Sequence, residues 1–329
     1  MKPRILLLLV VAAFASVSFC FTGHPEASWQ LAQLDDYLLN ILLMAGINVI
    51  LAVSLNMVNG YTGQFSLGHA GFMAVGAYGS AAITQIQGKA LLEALGFLGA
   101  AAPVVLFSLA MLVGGVLAAL AGLAVGLPSL RLKGDYLAIV TLGFGEIIRV
   151  MIQNTEALGG ARGLTGIPPR TTLGWTWAIA ALSIYCVGAL VRSTYGRGFL
   201  AVRDDEIAAE AMGINTTRYK VTAFVVGSFF AGLAGALYAH MICYISPEGF
   251  SFMKSVDVVV MVILGGMGST AGVTLAAILL TFLNEVLRQM QEYRMVAFSL
   301  LLIVLMIARP QGLIGDLARF LPGRRRLKP

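Results

Sequence analysis

Long apolar runs, separated by short polar segments, dominate the chain. Read with the Gly, Pro and charged residues between them, these runs predict ten helices. The helices lie near residues 4–22, 37–58, 67–87, 101–127, 135–153, 176–191, 219–242, 255–266, 270–288 and 294–309. Several reach the length of about 17 to 25 apolar residues that a helix needs to cross a bilayer. The run at 255–266 is too short to cross alone, so we interpret it as a half-helix.

The composition agrees with this pattern. Of the 329 residues, 58% are hydrophobic and only 12% are charged, and the mean hydropathy is +0.86. A soluble domain has about a quarter of its residues charged. The sequence therefore predicts an all-α, polytopic membrane protein.

The distribution of positive charge predicts its topology. The chain has 22 Lys and Arg against 16 Asp and Glu, a net charge of +6, and the cations cluster in loops and tails. Cytoplasmic loops of membrane proteins are enriched in Lys and Arg. With ten helices and a cytoplasmic N-terminus, the basic loops at 128–134 and 192–218 and the basic C-terminal end all fall on the cytoplasmic side. This explanation of the charge disfavours nucleic-acid binding.

Three regions follow from the same reading. Residues 1–36 form an N-terminal membrane helix and an external loop, residues 37–315 form the transmembrane domain with the loop at 192–218, and residues 316–329 form a basic cytoplasmic tail. The first 21 residues have the basic start and apolar run of a signal peptide, but no clear cleavage site follows. We therefore expect this helix to be retained.

Two glycine-rich segments interrupt the apolar pattern: Asn59–Phe72, NGYTGQFSLGHAGF, and Leu264–Gly272, LGGMGSTAG. Irregular backbone at membrane depth must be buried in protein or line a wet cavity, and glycine-interrupted segments mark binding paths in transporters. The predicted substrate-pathway residues are Asn56, Gln64, Ser66, Gly68, His69, Gly265, Gly266 and Gly268. The alternative is that these polar groups only satisfy one another between packed helices.

Enzymatic and metal sites are not predicted. His69 has no second histidine or carboxylate at ligand spacing, so we expect no metal ligand. The sequence has no GxxxxGK[ST] phosphate loop, GxSxG elbow or HExxH pair, and no catalytic residue is proposed. Glu146 is a carboxylate within an apolar run, with Arg149 three residues later. It is interpreted either as half of an ion pair or as a proton relay.

A polar segment at 197–220 lies between two apolar spans, and it predicts a surface helix from Asp204 to Gly213. Asp204 is expected to cap this helix, and Asp205 and Glu206 to occupy its first turn. Gly213 is expected to end it. Such a helix suits docking of another protein, and the residues predicted to make that contact are Asp204, Asp205, Glu206, Ala208, Ala209, Glu210 and Gly213. The alternative is an amphipathic helix that lies on lipid headgroups.

The run DDEIAAEAMGINTTRYKVTAF resembles the EAA loop of ABC-importer permeases, in which a Glu-Ala-Ala-x-x-x-Gly core contacts the ATPase. Ala208, Ala209 and Gly213 match that spacing, while Ile207 stands where Glu is usual. More widely, residues 37–315 are similar to LivM-type permeases of branched-chain amino acid ABC transporters. The segments that carry this likeness are GYTGQFSLGHAGFMAVGAY, LRLKGDYLAIVTLGFGEIIR, AFVVGSFFAGLAGALYAH, VVMVILGGMGSTAGV and ARPQGLIG.

The resemblance implies a non-enzymatic permease subunit of the bacterial inner membrane that takes up branched-chain or related amino acids. Its implied partners are a LivH-type permease, two ABC ATPase subunits, a periplasmic substrate-binding protein and membrane lipid. No cofactor is expected on this chain, because ATP and Mg would be used by the ATPase subunits. Three alternatives stay open: an ABC permease for urea or short amides, an ion-coupled secondary transporter, and a passive channel.

Overall fold

The structure is a computed structural model that describes residues 36–94, 99, 101–129, 135–288, 299–300 and 303. Two short strands, β1 (Leu164–Thr165) and β2 (Tyr244–Ile245), pair antiparallel. All other regular elements with defined bounds are helical. The α-helices are α1 Asp36–Asn56, α2 His69–Ile86, α3 Gly88–Ala94, α4 Ala102–Ser129, α5 Asp135–Gln153, α6 Leu173–Arg192, α7 Thr194–Asp204, α8 Glu206–Ala211, α9 Thr216–Ile242, α10 Phe252–Gly265 and α11 Thr270–Leu287.

The predicted helices that fall in the described residues are found within about three residues of their expected bounds. The predicted helices at 4–22 and 294–309 lie outside the described residues, apart from positions 299, 300 and 303. Two short helices, α3 and α7, were not predicted from the apolar pattern. The total of ten spans therefore stays a prediction.

Six of the described helices are long and apolar enough to cross a membrane. They are Asp36–Tyr61, which includes a π-helical turn at Met57–Tyr61, and Ala102–Pro128, Tyr136–Gln153, Leu173–Arg192, Thr216–Ile242 and Thr270–Leu287. The chain is thus an all-α, polytopic membrane protein.

Helix α9 forms the centre of the bundle and packs against α1, α2 and α4. Glycines make these contacts close. A methyl group at Gly76 would collide with the backbone of Gly232, and one at Gly114 would lie 2.6 Å from the carbonyl oxygen of Gly76. Small residues let helix backbones approach where hydrophobic burial from water gives no driving force. The rows of small residues along the apolar runs therefore hold α2, α4 and α9 together.

Helices α1 and α11 run antiparallel, and three side-chain hydrogen bonds join them. Tyr37 donates to Glu285 at one end, and Tyr61 shares a 2.7 Å bond with Thr270 at the other. Between them, Asn48 donates to Thr281 at 3.0 Å. These bonds fix the register of α11 along α1. They therefore also fix the position, along α1, of the glycine turn that joins α10 to α11.

Helix α10 has 14 residues. It is about 21 Å long, which is less than the roughly 30 Å of a bilayer core. It ends beside Tyr61, so its first residue, Phe252, lies near the middle of the Asp36–Tyr61 span. A hydrogen bond of 3.5 Å from Lys254 Nζ to Asn48 Oδ1 supports this level. The predicted half-helix is therefore present, and it is paired with α11 as a hairpin.

Candidate functional site

The polar segment after α6 folds as two helices, α7 and α8. The prediction that Asp204 caps a single helix is wrong, because Asp204 is the last residue of α7. Asp205 has extended backbone, and its Oδ1 accepts hydrogen bonds from Ile207 N at 2.9 Å and Ala208 N at 3.0 Å. A carboxylate in this position satisfies free N–H groups and complements the positive end of the helix dipole. Asp205 is therefore the residue that starts α8.

Gly213 ends α8, as the sequence predicts. Its φ is +81°, a left-handed conformation that glycine adopts without a steric cost. Gly213 N donates to Glu210 O at 2.9 Å, and Ile214 N donates to Ala209 O at 3.0 Å. This pair of bonds is the Schellman arrangement, which satisfies the last carbonyl groups of a helix. The short helix thus has defined bonds at both ends.

One face of α8 is held against the start of α9. Lys220 is buried, and its Nζ lies 2.7 Å from Glu206 Oε2. Thr216 Oγ1 donates to Glu210 Oε1 at 2.7 Å, and Ala209 is buried between these contacts. Both glutamates therefore bond to α9, the central helix of the bundle.

The opposite face of α8 is exposed and apolar. Ile207 is 72% exposed and Met212 is 82% exposed. Ala208 and Ala211 lie on the same exposed part of the segment. Ile207 and Met212 project from this face, with the two alanines beside them. We name this exposed surface the α8 knob: Ile207, Ala208, Ala211 and Met212. Its small size and apolar surface fit a shallow groove on another protein.

The first glycine break joins the π-helical turn of α1 to the start of α2. Three of its backbone N–H groups donate to acceptors within the protein. Gln64 N donates to Val58 O at 3.1 Å, Ser66 N to Asn59 Oδ1 at 3.2 Å, and Leu67 N to Thr141 Oγ1 at 3.1 Å. A segment bonded in this way is tolerated at membrane depth.

The second glycine break packs directly on the first. Gly268 N donates to Asn56 Oδ1 at 2.9 Å, although the two residues are 212 positions apart. A methyl group at Gly60 would collide with Gly268 N. Gly265 packs against Gly272 in the same turn, and Gly266 has a φ of +91° that glycine permits. The structure thus brings together Asn56 and the predicted glycines of the α10–α11 turn.

His69 contacts α1 at Ser54. It is buried at the start of α2, and its Nε2 lies 2.9 Å from Ser54 Oγ. Gly68 packs against Thr141 of α5. Ser66 and Gln64 are also buried, and both side-chain amide atoms of Gln64 lack a hydrogen-bond partner in the structure. Of the predicted pathway residues, Asn56 thus meets the glycines of the α10–α11 turn, and Ser66 bonds to Asn59. His69 and Gly68 contact Ser54 and Thr141.

The starts of α2 and α10 meet inside the bundle. Ala70 N donates to Ser255 Oγ at 3.0 Å, so the first turns of the two helices are adjacent. A niche of about 10 Å³ lies between them, and Glu146 and Ser251 are among its lining residues. Glu146 Oε2 accepts from Arg149 Nε at 2.7 Å, which confirms the predicted ion pair. The carboxylate is thus neutralised within this chain.

Arg203 is a residue that the sequence did not single out for the pathway. A methyl group at Gly63 would lie 2.9 Å from Arg203 Cγ, and one at Gly268 would lie 3.2 Å from its Nη1. The side chain therefore lies against both glycine breaks. The contact of Arg203 with Gly63 and Gly268 could not be predicted from the sequence, because these residues lie far apart in the chain. It depends on how α7 folds back on the bundle.

Metal binding finds no support in the part of the chain that the structure describes. No group of three or more His, Cys, Asp or Glu side chains lies close enough there to hold an ion. The arrangement offers instead an exposed apolar knob, a bonded connection from it to the central helix, and two glycine breaks in contact.

Comparison with known proteins relates the chain to permeases. LivM of Escherichia coli K12, a "High-affinity branched-chain amino acid transport system permease protein", is 40% identical over 237 residues, which are 61% of this chain and 56% of that protein. A probable LivM of Methanocaldococcus jannaschii is 26% identical over 232 residues, 61% of this chain and 67% of the relative. LivH of E. coli K12 is 29% identical over 143 residues, 42% of this chain and 46% of the relative.

The match thus spans a little over half the length of the E. coli LivM protein. No solved structure matches the chain. Residues 37–309 match the family described as "Branched-chain amino acid transport system / permease component". That range contains both glycine breaks, the α8 knob and all the helices with defined bounds except the first residue of α1. The chain belongs to the family of branched-chain amino acid transport system permease components.

Proposed function

We propose that the chain is the permease subunit of an ATP-driven ABC importer that takes up branched-chain or related amino acids. The observation that carries the proposal is the α8 knob. Ile207 and Met212 are exposed, while Glu206 on the other face is bonded to buried Lys220 of α9. An exposed apolar contact with a firm connection to the central helix is suited to receive force from another subunit.

The proposed partners are a LivH-type permease, two ABC ATPase subunits and a periplasmic substrate-binding protein. The likeness to both LivM and LivH relatives supports a pair of related permeases. ATP and Mg are used by the ATPase subunits in this scheme, and the present chain is not an enzyme. It lies in the inner membrane with ten helices, both termini and the α8 knob on the cytoplasmic side.

The proposed mechanism is alternating access driven through α8. Closure of the ATPase subunits moves the knob, and the Glu206–Lys220 ion pair transmits this movement to α9. Because α9 packs on α1, α2 and α4, a displacement of its first turn acts on the helices that border the first glycine break. The breaks supply backbone that can change conformation without the loss of long helical hydrogen-bond ladders.

The test replaces Ala208 with Trp and measures ATP-driven leucine uptake by the complete transporter in proteoliposomes. Ala208 is exposed in the centre of the knob, so an indole there blocks a shallow groove without disturbing the bundle. Uptake is expected to fall at least about tenfold, which corresponds to a loss of about 1.4 kcal/mol in the free energy of docking. Gly213→Trp, combined with it, also breaks the left-handed turn and abolishes uptake.

Membrane insertion serves as the control, and Thr217→Trp, at an exposed position on the first turn of α9 outside the knob, is the matched variant that keeps uptake. Unchanged uptake in Ala208→Trp contradicts the proposal. Leucine uptake by this chain alone under an ion gradient would favour a secondary transporter, and flux without ATP or a binding protein would favour a channel. Competition by urea or acetamide, but not by leucine, would favour the amide permease.

A further inference from the structure

A cavity of about 350 Å³ opens where the two glycine breaks meet α7. Its lining residues are Asn59, Gly60, Gly63, Phe65, Arg203 and Met267. Pockets that bind small molecules have volumes of about 300 to 1,000 Å³. This cavity therefore has room for a molecule the size of an amino acid.

The cavity has one strong hydrogen-bond donor with a positive charge. Arg203 Nε and Nη2 donate to Asp204 Oδ1 at 3.1 and 3.0 Å. Its third nitrogen, Nη1, lies on the side of Gly268. Guanidinium groups bind carboxylates with strong, charge-assisted hydrogen bonds. The charge and the geometry of this wall suit a carboxylate.

Asn59 also lines the cavity, but the nitrogen of its side-chain amide is not open to it. Asn59 is 5% exposed, and its Oδ1 accepts from Ser66 N at 3.2 Å. Its Nδ2 is shielded from solvent and has no partner in the structure. A buried amide N–H without a partner costs about 1–3 kcal/mol. Because Nδ2 is closed to solvent, a ligand in the cavity does not reach it, and recognition of a ligand falls to Arg203.

The rest of the wall is apolar. Phe65 is 36% exposed and Met267 is 55% exposed. A wall that combines apolar side chains with a guanidinium matches a molecule with an aliphatic side chain at one end and a carboxylate at the other. We propose that this cavity binds an aliphatic α-amino acid through its carboxylate at Arg203, as the last site before release on the α7 side.

This inference rests on the proposed function for its direction, since the α7 side is the cytoplasmic side in that scheme. It adds a substrate site that neither the glycine pattern nor the polar segment indicated by itself. Because Arg203 is the residue next to the pair Asp204–Asp205 that leads into α8, movement of the knob also changes the wall of the cavity. Binding and release of the amino acid are thereby linked to movement of the α8 knob.

The test follows alkylation of a single cysteine in the purified full-length chain. Cys20, Cys186 and Cys243 are replaced by Ser, and Met267→Cys places a thiol in the cavity wall. N-ethylmaleimide reacts with this thiol in the presence of L-leucine or of L-leucinamide, which lacks the carboxylate. A bound ligand slows the reaction by the factor 1 + [L]/Kd, so leucine at twice its Kd gives an effect of about threefold.

Leucine is expected to slow alkylation in a saturable manner and leucinamide is not. Arg203→Gln is expected to abolish this protection, and Arg218→Gln, an exposed arginine in the first turn of α9 outside the cavity, is expected to keep it. The alkylation rate without ligand reports whether each variant keeps the local fold. If Arg203→Gln alters that rate, protection by leucine is measured in Arg203→Lys instead. Weaker protection is expected there, because an ammonium group lacks the planar geometry of a guanidinium.

Three results would overturn the site: no protection by leucine, equal protection by leucinamide, or full protection in both Arg203 variants. The experiment uses the isolated chain without ATPase subunits. Its failure is therefore distinguishable from failure of the proposed function, which is measured as uptake by the assembled transporter.

Discussion

Lys220 is a buried cation at the first turns of α9, and its partner Glu206 starts α8. The pair joins the exposed segment to the central helix. Lys220 is buried and Glu206 is partly buried, so removing one member of the pair leaves a charge that water compensates only in part. This contact also explains why Glu206 does not face outward, as its place in a docking motif would suggest. The exposed face of α8 is left to apolar side chains.

We expect Lys220→Met to reduce ATP-driven leucine uptake at least about threefold, because loss of the bond weakens the link between knob and bundle by an energy in the range of ordinary coupling effects. ATP hydrolysis by the assembled transporter is expected to continue, so the number of ATP molecules used per leucine rises. The measurement is the ratio of hydrolysis to uptake in proteoliposomes.

The exchanged pair, Glu206→Lys with Lys220→Glu, is expected to restore part of the ratio. Arg218→Met, which removes an exposed cation two residues before Lys220, is the control and leaves the ratio unchanged. An unaltered ratio in Lys220→Met would show that the ion pair does not transmit movement.

At the scale of elements, the α10–α11 hairpin is the clearest departure from a simple bundle. Helix α10 ends in the middle of a close contact with α1, in which Gly60 faces the backbone of Gly268. Tyr61 and Asn56 bond to the same turn. The hairpin is therefore held against α1 at one end by backbone contact and not by side-chain packing alone. This close packing requires glycine at position 60.

We expect Gly60→Ala to lower the Tm of the detergent-solubilised chain by at least about 3 °C, since overpacking a close contact costs about 1–3 kcal/mol. Gly188→Ala is the matched control on α6. A methyl group there meets no atom within 4 Å, and Ala is the better helix former. Its Tm should be equal or slightly higher. A Tm for Gly60→Ala equal to that of the control would contradict the close contact.

For the whole molecule, the arrangement of α1, α9 and α11 divides the described chain into two ends. One end carries α7, α8 and the α10–α11 turn. The other carries residues 154–172 and the paired strands β1 and β2. Basic residues of the loop at 192–218 lie at the first end, which the charge rule assigns to the cytoplasm.

We expect a cysteine at Met212, in a chain without its native cysteines, to react with a membrane-impermeant maleimide only in inside-out vesicles. A cysteine at Glu156, exposed at the other end, should react only in right-side-out vesicles. The gel shift of the labelled chain gives the readout. Labelling of both positions from the same side would exclude the proposed topology, and reversed labelling would place the α8 knob out of reach of ATPase subunits.

Within the described residues, the sequence by itself determined the long helices and, to within about three residues, where they end. Apolar length, a carboxylate before Glu206 and a glycine after Met212 act over a few neighbouring residues, because helix formation and capping depend on hydrogen bonds three or four positions apart. The short helices α3 and α7 were missed, since the pattern of long apolar runs does not mark them. The cap was placed at Asp204 instead of Asp205 because either carboxylate could occupy that position. The fold of α7 decided between them, since it uses Asp204 as its last residue.

Only the tertiary structure decided which distant groups meet. It joined Asn56 to Gly268, placed Arg203 against both glycine breaks, and turned Glu206 towards Lys220. It also placed His69 beside Ser54 of α1. The physical reason is that contacts across such distances in the chain depend on helix packing and register, which are set by the shapes of all the helices together and not by any local pattern.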